Sequence, residues 1–166
     1  GDVYKRQTME LQCNSETAAV LFGIADEPKY LLKYNLVQNP RKGGFGLILG
    51  YKHAGLYLIQ FSKGSSNHWN VSLHKGRSLK GGFKLIESEN ASLSEKNTPD
   101  TCIIYIREGR LAGLSVNNQP LVSIVEKAGS EQPLVGAFGI RVHKCKLRVE
   151  KALINGRALD FGEEFQ

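Results

Sequence analysis

Residues 68–74 read HWNVSLH, so His68, Asn70, Ser72 and His74 alternate with Trp69, Val71 and Leu73. Gln60 in the preceding run, Tyr105 and Arg107, and Arg141 and His143 likewise fall on the polar parity of their runs. In an extended chain, residues two apart share a face. These amide, hydroxyl, imidazole, phenol and guanidinium groups are therefore equipped to hydrogen-bond a polar ligand, with Tyr51 or Tyr57 as a further ring. Catalysis asks for more. The four histidines have no placed carboxylate partner and make no acid–base set, so no catalytic residue is assigned. The three cysteines, Cys13, Cys102 and Cys145, form no CxxC and have no histidine at ligand spacing. The aspartates and glutamates lack the oxygen-rich loop spacing that calcium demands, so no metal and no cofactor are expected. Cys102 and Cys145 read as buried free thiols, with a bridge between them as the alternative in an oxidising compartment. Gly43, Gly44, Gly46 and Gly50 resemble a phosphate loop only superficially, because they sit in strand pattern and no helix follows them.

Positioning these groups falls to short alternating runs separated by turn chemistry. Residues 101–156 hold four of them: TCIIYIR, RLAGLSV, LVSIVE and the long LVGAFGIRVHKCKLRVEKALING. Cys102, Ile104 and Ile106 share a parity that continues on Ala112, Leu114 and Val116 through a turn at Glu108-Gly109, and Asn117-Asn118 marks another turn. Upstream, residues 8–13 and 18–25 read as two strands parted by a turn at 14–16. Residues 30–38 follow, then a hairpin over 45–60, then 68–75 and 83–87. Trp69 shares its parity with Val71 and Leu73 and reads as core. Residues 88–100 and 128–133 read as the least ordered internal loops. About eleven to thirteen short strands, with no helical period, predict an all-β antiparallel β-sandwich of jelly-roll type.

The 166 residues suit one domain; 41% are apolar and 23% charged, which excludes a disordered chain. No apolar run is long enough for a membrane-spanning helix. The net charge of +6 is spread over turns and polar parities, so neither nucleic acid nor membrane is expected as a partner. Residues 1–7, GDVYKRQ, read as an adapter-derived scar of environmental sequencing. The domain is then 8–166, a fragment of a longer protein whose leader or upstream domain is missing.

The order of features in TCIIYIREGRLAGLSVNNQPLVS, LVGAFGI and KLRVEKALING resembles concanavalin A-like lectin/glucanase domains, including laminin G-like modules and domains related to 3-keto-disaccharide hydrolases. FGLILGYKHAGLYLIQF resembles the paired strands that precede them in that group. Catalytic glucanases of the fold use an E-x-D-x-E run, and here Glu87-Ser88-Glu89 is the nearest approach. The resemblance implies a non-catalytic carbohydrate-binding or adhesion module of a larger bacterial protein, extracellular or periplasmic; as an isolated domain the chain is expected to be a monomer. Gln60, His68, Asn70, Ser72, His74, Tyr105, Arg107, Arg141 and His143 are its ligand-binding candidates. One alternative is a glycoside-cleaving hydrolase of the same fold, using His68, His74 or His143 with a tyrosine or arginine. The other is a structural or protein-interaction domain with no sugar ligand.

Overall fold

A computed structural model describes residues 8–39, 43–53, 55–63, 68–92, 100–128 and 133–161. The readings of residues 1–7 as a scar and of 93–99 and 129–132 as loops lie outside them. Two long strands run the length of the molecule, β1 (Met9–Ala25) and β10 (Gly136–Ile154), paired antiparallel from Met9↔Val149 to Ala25↔Gly136. On its other side β10 changes partner midway. Its first half pairs with β3 (Gly44–Lys52), from Ala137↔Tyr51 to His143↔Gly44, and its second half with β2 (Tyr30–Asn39), from Lys146↔Asn39 to Ile154↔Leu32.

The change falls at Lys144, whose φ is 51°, opposite a register shift between Cys13 and Thr17. With β10 bent at this residue and β1 irregular opposite it, the eleven-stranded sheet folds there into two leaves. The first leaf runs β6 (Lys84–Ser92), β5 (His68–Gly76), β4 (Gly55–Lys63), β3, the first half of β10 and the second half of β1. The second leaf holds the first half of β1, the second half of β10, β2, β7 (Thr101–Arg107), β8 (Arg110–Val116) and β9 (Gln119–Pro120). A two-residue strand, β11 (Arg157–Ala158), continues the β1 side of β10. The result is the all-β jelly-roll sandwich that the alternating runs predict.

Alternation fills the space between the leaves. Leu32, Tyr34 and Leu36 of β2, and Cys102, Ile104 and Ile106 of β7, face Phe45, Leu47 and Leu49 of β3, Trp69, Val71 and Leu73 of β5, and Phe138, Ile140 and Val142 of β10 in one apolar core. Phe45 stacks on Phe61 with ring centroids 4.7 Å apart, and Phe22 meets the edge of Phe161 at 5.0 Å. Three hairpin turns, Glu108-Gly109, Asn117-Asn118 and Asn155-Gly156, hold both central residues at positive φ, the type I′ geometry whose twist matches the strands.

Several expectations change. β1 is one strand of 17 residues, because the irregularity between Cys13 and Thr17 turns the corner without the chain leaving the ladder. The run LVSIVE is not a strand: Val122–Lys127 forms a short helix, α1, that buries Ile124. Residues 88–92 belong to β6 rather than to a loop. A register shift between Tyr105 and Ile106 sets Leu111, not Ala112, opposite Ile106 in the core; Ala112 is exposed. All three cysteines are free, and Cys145 lies directly opposite Cys13, whereas Cys102 pairs with Tyr34 and Val116. Burial pushes the Cys102 thiol well above its ordinary range and, against the hydrogen bond from Gln38, raises that of Cys145, so both act as packing groups.

Candidate functional site

The outward face of the first leaf carries two rows of small and polar side chains that run across all six strands. Cross-strand register gives the first row as Thr17, His143, Gly44, Ser62, Asn70 and Asn90. The second row is Ala19, Arg141, Gly46, Gln60, Ser72 and Ser88. Five inter-strand steps of about 4.8 Å make each row roughly 24 Å long. The glycines lower the floor at its middle. A Cβ on Gly46 would come within 2.5 Å of Leu58 Cδ1 and 3.1 Å of Gln60 Oε1, and one on Gly44 within 3.1 Å of Gln60 Nε2. The Gln60 amide therefore lies flat over β3 and reaches toward β10.

Beyond these rows the same face turns apolar. Ile48, Leu56 and Leu58 form a second small core, covered by Leu21, Tyr51, Leu79 and Phe83. The segment 77–83 thus straps down over one end of the leaf and forms one wall of a groove whose floor is the two polar rows. Arg141 joins strap to floor: its Nε donates to the Leu79 carbonyl at 3.1 Å, and its guanidinium lies 4.8 Å from the centroid of the Phe83 ring. Another guanidinium nitrogen reaches Thr17 Oγ1 at 3.5 Å, and Thr17 Oγ1 is in turn 3.2 Å from His143 Nδ1. At the far end Asn70 Nδ2 donates to Asn90 Oδ1 at 3.2 Å. Where β1 meets the strap there is a cleft of about 590 Å³ lined by Glu16, Thr17, Ala19, Leu79 and Lys80, a size suited to a small organic ligand.

Of the nine sequence candidates, Gln60, Asn70, Ser72, His74, Arg141 and His143 come together on this one leaf. His68 begins β5 opposite Ser92; its side chain lies outside the described residues. Tyr105 and Arg107 belong to β7 in the other leaf and do not join the group. Ser72 is only 4% exposed, so it supports the floor instead of facing a ligand. His74 stands one row further on, opposite Leu58, and its Nδ1 is buried with no hydrogen-bond partner among the described residues. Burial, followed by the charge of Arg141, pulls its pKa below the ordinary imidazole range, which keeps it neutral at pH 7.

Tyr57 and Trp69 point into the main core and Tyr51 packs in the small one, so the ring at the groove wall is that of Phe83. The sequence reading missed Thr17, Ser62, Asn90 and the strap. Its available signal was in FGLILG and GLYLIQF, which are apolar on both parities and therefore need cover on both faces. Glu87 and Glu89 lie on the core parity of β6, where Glu89 Oε1 accepts from the Ser123 backbone N–H, so they form no carboxylate pair in the groove. Among the described residues no cluster of three or more His, Cys, Asp or Glu is placed to hold a metal ion.

No protein-family model matches the sequence, and no curated protein matches it. Solved structures do match the fold. A xylan β-1,4-xylosidase from Bacillus halodurans superposes with a TM-score of 0.60 at 11% identity over 89% of this chain, which spans about a third (32%) of that enzyme. A legume lectin-like domain from Entamoeba histolytica gives 0.58 at 13% identity, covering 89% of this chain and 83% of that one. A toad ovary galectin solved with thio-digalactose gives 0.52 at 8% identity, covering 84% of this chain and 98% of the galectin. These neighbours have concanavalin A-like, jelly-roll folds, and the present chain shares that fold.

Proposed function

We propose that this chain is a non-catalytic carbohydrate-binding module that lays a glycan along the groove of the first leaf. The observation that carries the reading is the pair of registered rows: Thr17, His143, Ser62, Asn70 and Asn90 beside Arg141 and Gln60 offer donors and acceptors across six strands. A ligand rich in hydroxyls, long and flat, matches such a surface, since each hydroxyl both donates and accepts and a sugar ring presents a face to Phe83. Lectin and galectin structures among the fold's neighbours, one of them holding thio-digalactose, support a sugar as the ligand class. A glycan array probed with the purified chain tests it. A saturable signal that Gln60→Ala and Asn70→Ala each lower at least tenfold, with the melting temperature unchanged, is the expected result. Absence of any saturable signal would sink the reading and leave a scaffold or protein-interaction domain.

A further inference from the structure

Arg141, on the second of the six strands in its row, stands beside the strap with a charge that no ion pair among the described residues balances. Its partners among the described residues are a carbonyl, a hydroxyl and an aromatic ring: Leu79 O, Thr17 Oγ1 and Phe83. The two ion pairs seen among the described residues lie in the other leaf: Lys146–Glu10 joins the second half of β10 to the first half of β1, and Arg148–Glu150 lies within β10. On the rows beside Arg141 the titratable groups are basic, and Glu16 is the carboxylate of the adjoining cleft, at its exposed rim. His143 is on the adjacent row, His74 one row away, and Lys80 lines the cleft beside the strap.

Holding a half-buried guanidinium in one orientation costs desolvation energy, which neutral contacts offset less fully than a counter-charge would. The contacts at Nε and Nη2 are both neutral, and Nη1 has no hydrogen-bond partner among the described residues, so the guanidinium keeps donors for the oxygens of a carboxylate or sulfate. We infer that the groove takes an anionic glycan, with a uronate carboxylate or a sulfate ester seated on Arg141 and the flanking sugar hydroxyls held by Gln60, Asn70 and His143. Desolvation lowers the pKa of the Arg141 guanidinium from its ordinary value, as for a cation that lacks an anion beside it.

This inference rests on the sugar-binding reading, and the experiment separates the two. An oligogalacturonide is titrated calorimetrically against its fully methyl-esterified form, and a sulfated galactan oligomer against its desulfated form, at physiological salt; acidic and neutral glycans are compared on the array in parallel. At least one acidic form is expected to bind about tenfold or more tightly than its neutral counterpart, the size of one charge-assisted contact. Arg141→Gln should abolish that preference, while Lys151→Gln, on the second leaf, should leave it intact. Because Arg141 also anchors the strap, the unaltered protein supplies a second readout: the acidic ligand should shift the Arg141 Nε–H resonance and the neutral one should not.

Equal binding of acidic and neutral forms would overturn the anionic assignment and leave the module a neutral-sugar binder. A preference that Lys151→Gln weakens as much as Arg141→Gln would also overturn it, as attraction by overall charge. No binding by any glycan would remove both readings together.

Discussion

Two tyrosines on neighbouring turns of the β2 pleat show how differently one residue type can be used. Tyr30 and Tyr34 are 3% and 1% exposed, and burial raises the pKa of both phenols, so both are neutral at pH 7. Tyr30 Oη donates to the Leu134 carbonyl at 2.6 Å, which ties β2 to the segment leading into β10. Tyr34 Oη is buried with no hydrogen-bond partner among the described residues. Tyr30→Phe should therefore cost about 1–3 kcal/mol, because it strands a buried carbonyl, while Tyr34→Phe should be neutral or stabilise by up to about 1 kcal/mol. Urea melts of the two variants check this, and equal losses would contradict it. Neither role was readable in YLLKYNLVQ, where the two tyrosines share a parity and look alike. The candidate site had the same limit. Parity found the outward faces of strands, and so it found Gln60, Asn70, Arg141 and His143, but it cannot tell which leaf a strand joins. Tyr105 and Arg107 were thus grouped with residues on the other side of the molecule.

At the scale of elements, the β1–β10 ladder depends on a close approach at Gly139. A Cβ there would collide with the Val20 carbonyl and come within 2.8 Å of Leu21 Cα, both backbone atoms of β1 that no rotamer change can move aside. Gly139→Ala should lose about 1–3 kcal/mol in a chemical melt. Gly81→Ala in the strap, where a Cβ would meet nothing within 4 Å, should stay within about 0.5 kcal/mol of the parent. Most strands were legible because period-2 alternation carries them, and the three type I′ turns announce themselves by Asn and Gly. The six-residue α1 was not. LVSIVE is apolar at Leu121, Val122, Ile124 and Val125, a pattern that a run this short cannot assign to helix over buried strand, and contacts with β6 and β8 decide the outcome. The continuity of β1 was hidden for a related reason: Asn14-Ser15-Glu16 has turn composition, yet it serves as a bulge inside a strand.

On the scale of the whole molecule, both leaves own a share of β1 and of β10, so neither can melt alone without tearing the ladder of the other. Trp69, the one tryptophan of the chain, reports on the first leaf by its fluorescence, while far-ultraviolet circular dichroism reports on all strands together. The two signals should give coincident denaturation midpoints, the mark of a single cooperative transition; separated midpoints would show leaves that unfold independently. The same ladder also sets an order in time. Met9 pairs with Val149 and Ala25 with Gly136, so on the ribosome the earliest strand has to wait for one of the last. At roughly 5–20 residues per second, that wait is on the order of ten seconds, during which a 17-residue run of bare strand is open to pairing with any neighbouring nascent chain. Yield on expression is then governed less by the stability of the finished sandwich than by how well this first strand is shielded until its partner emerges.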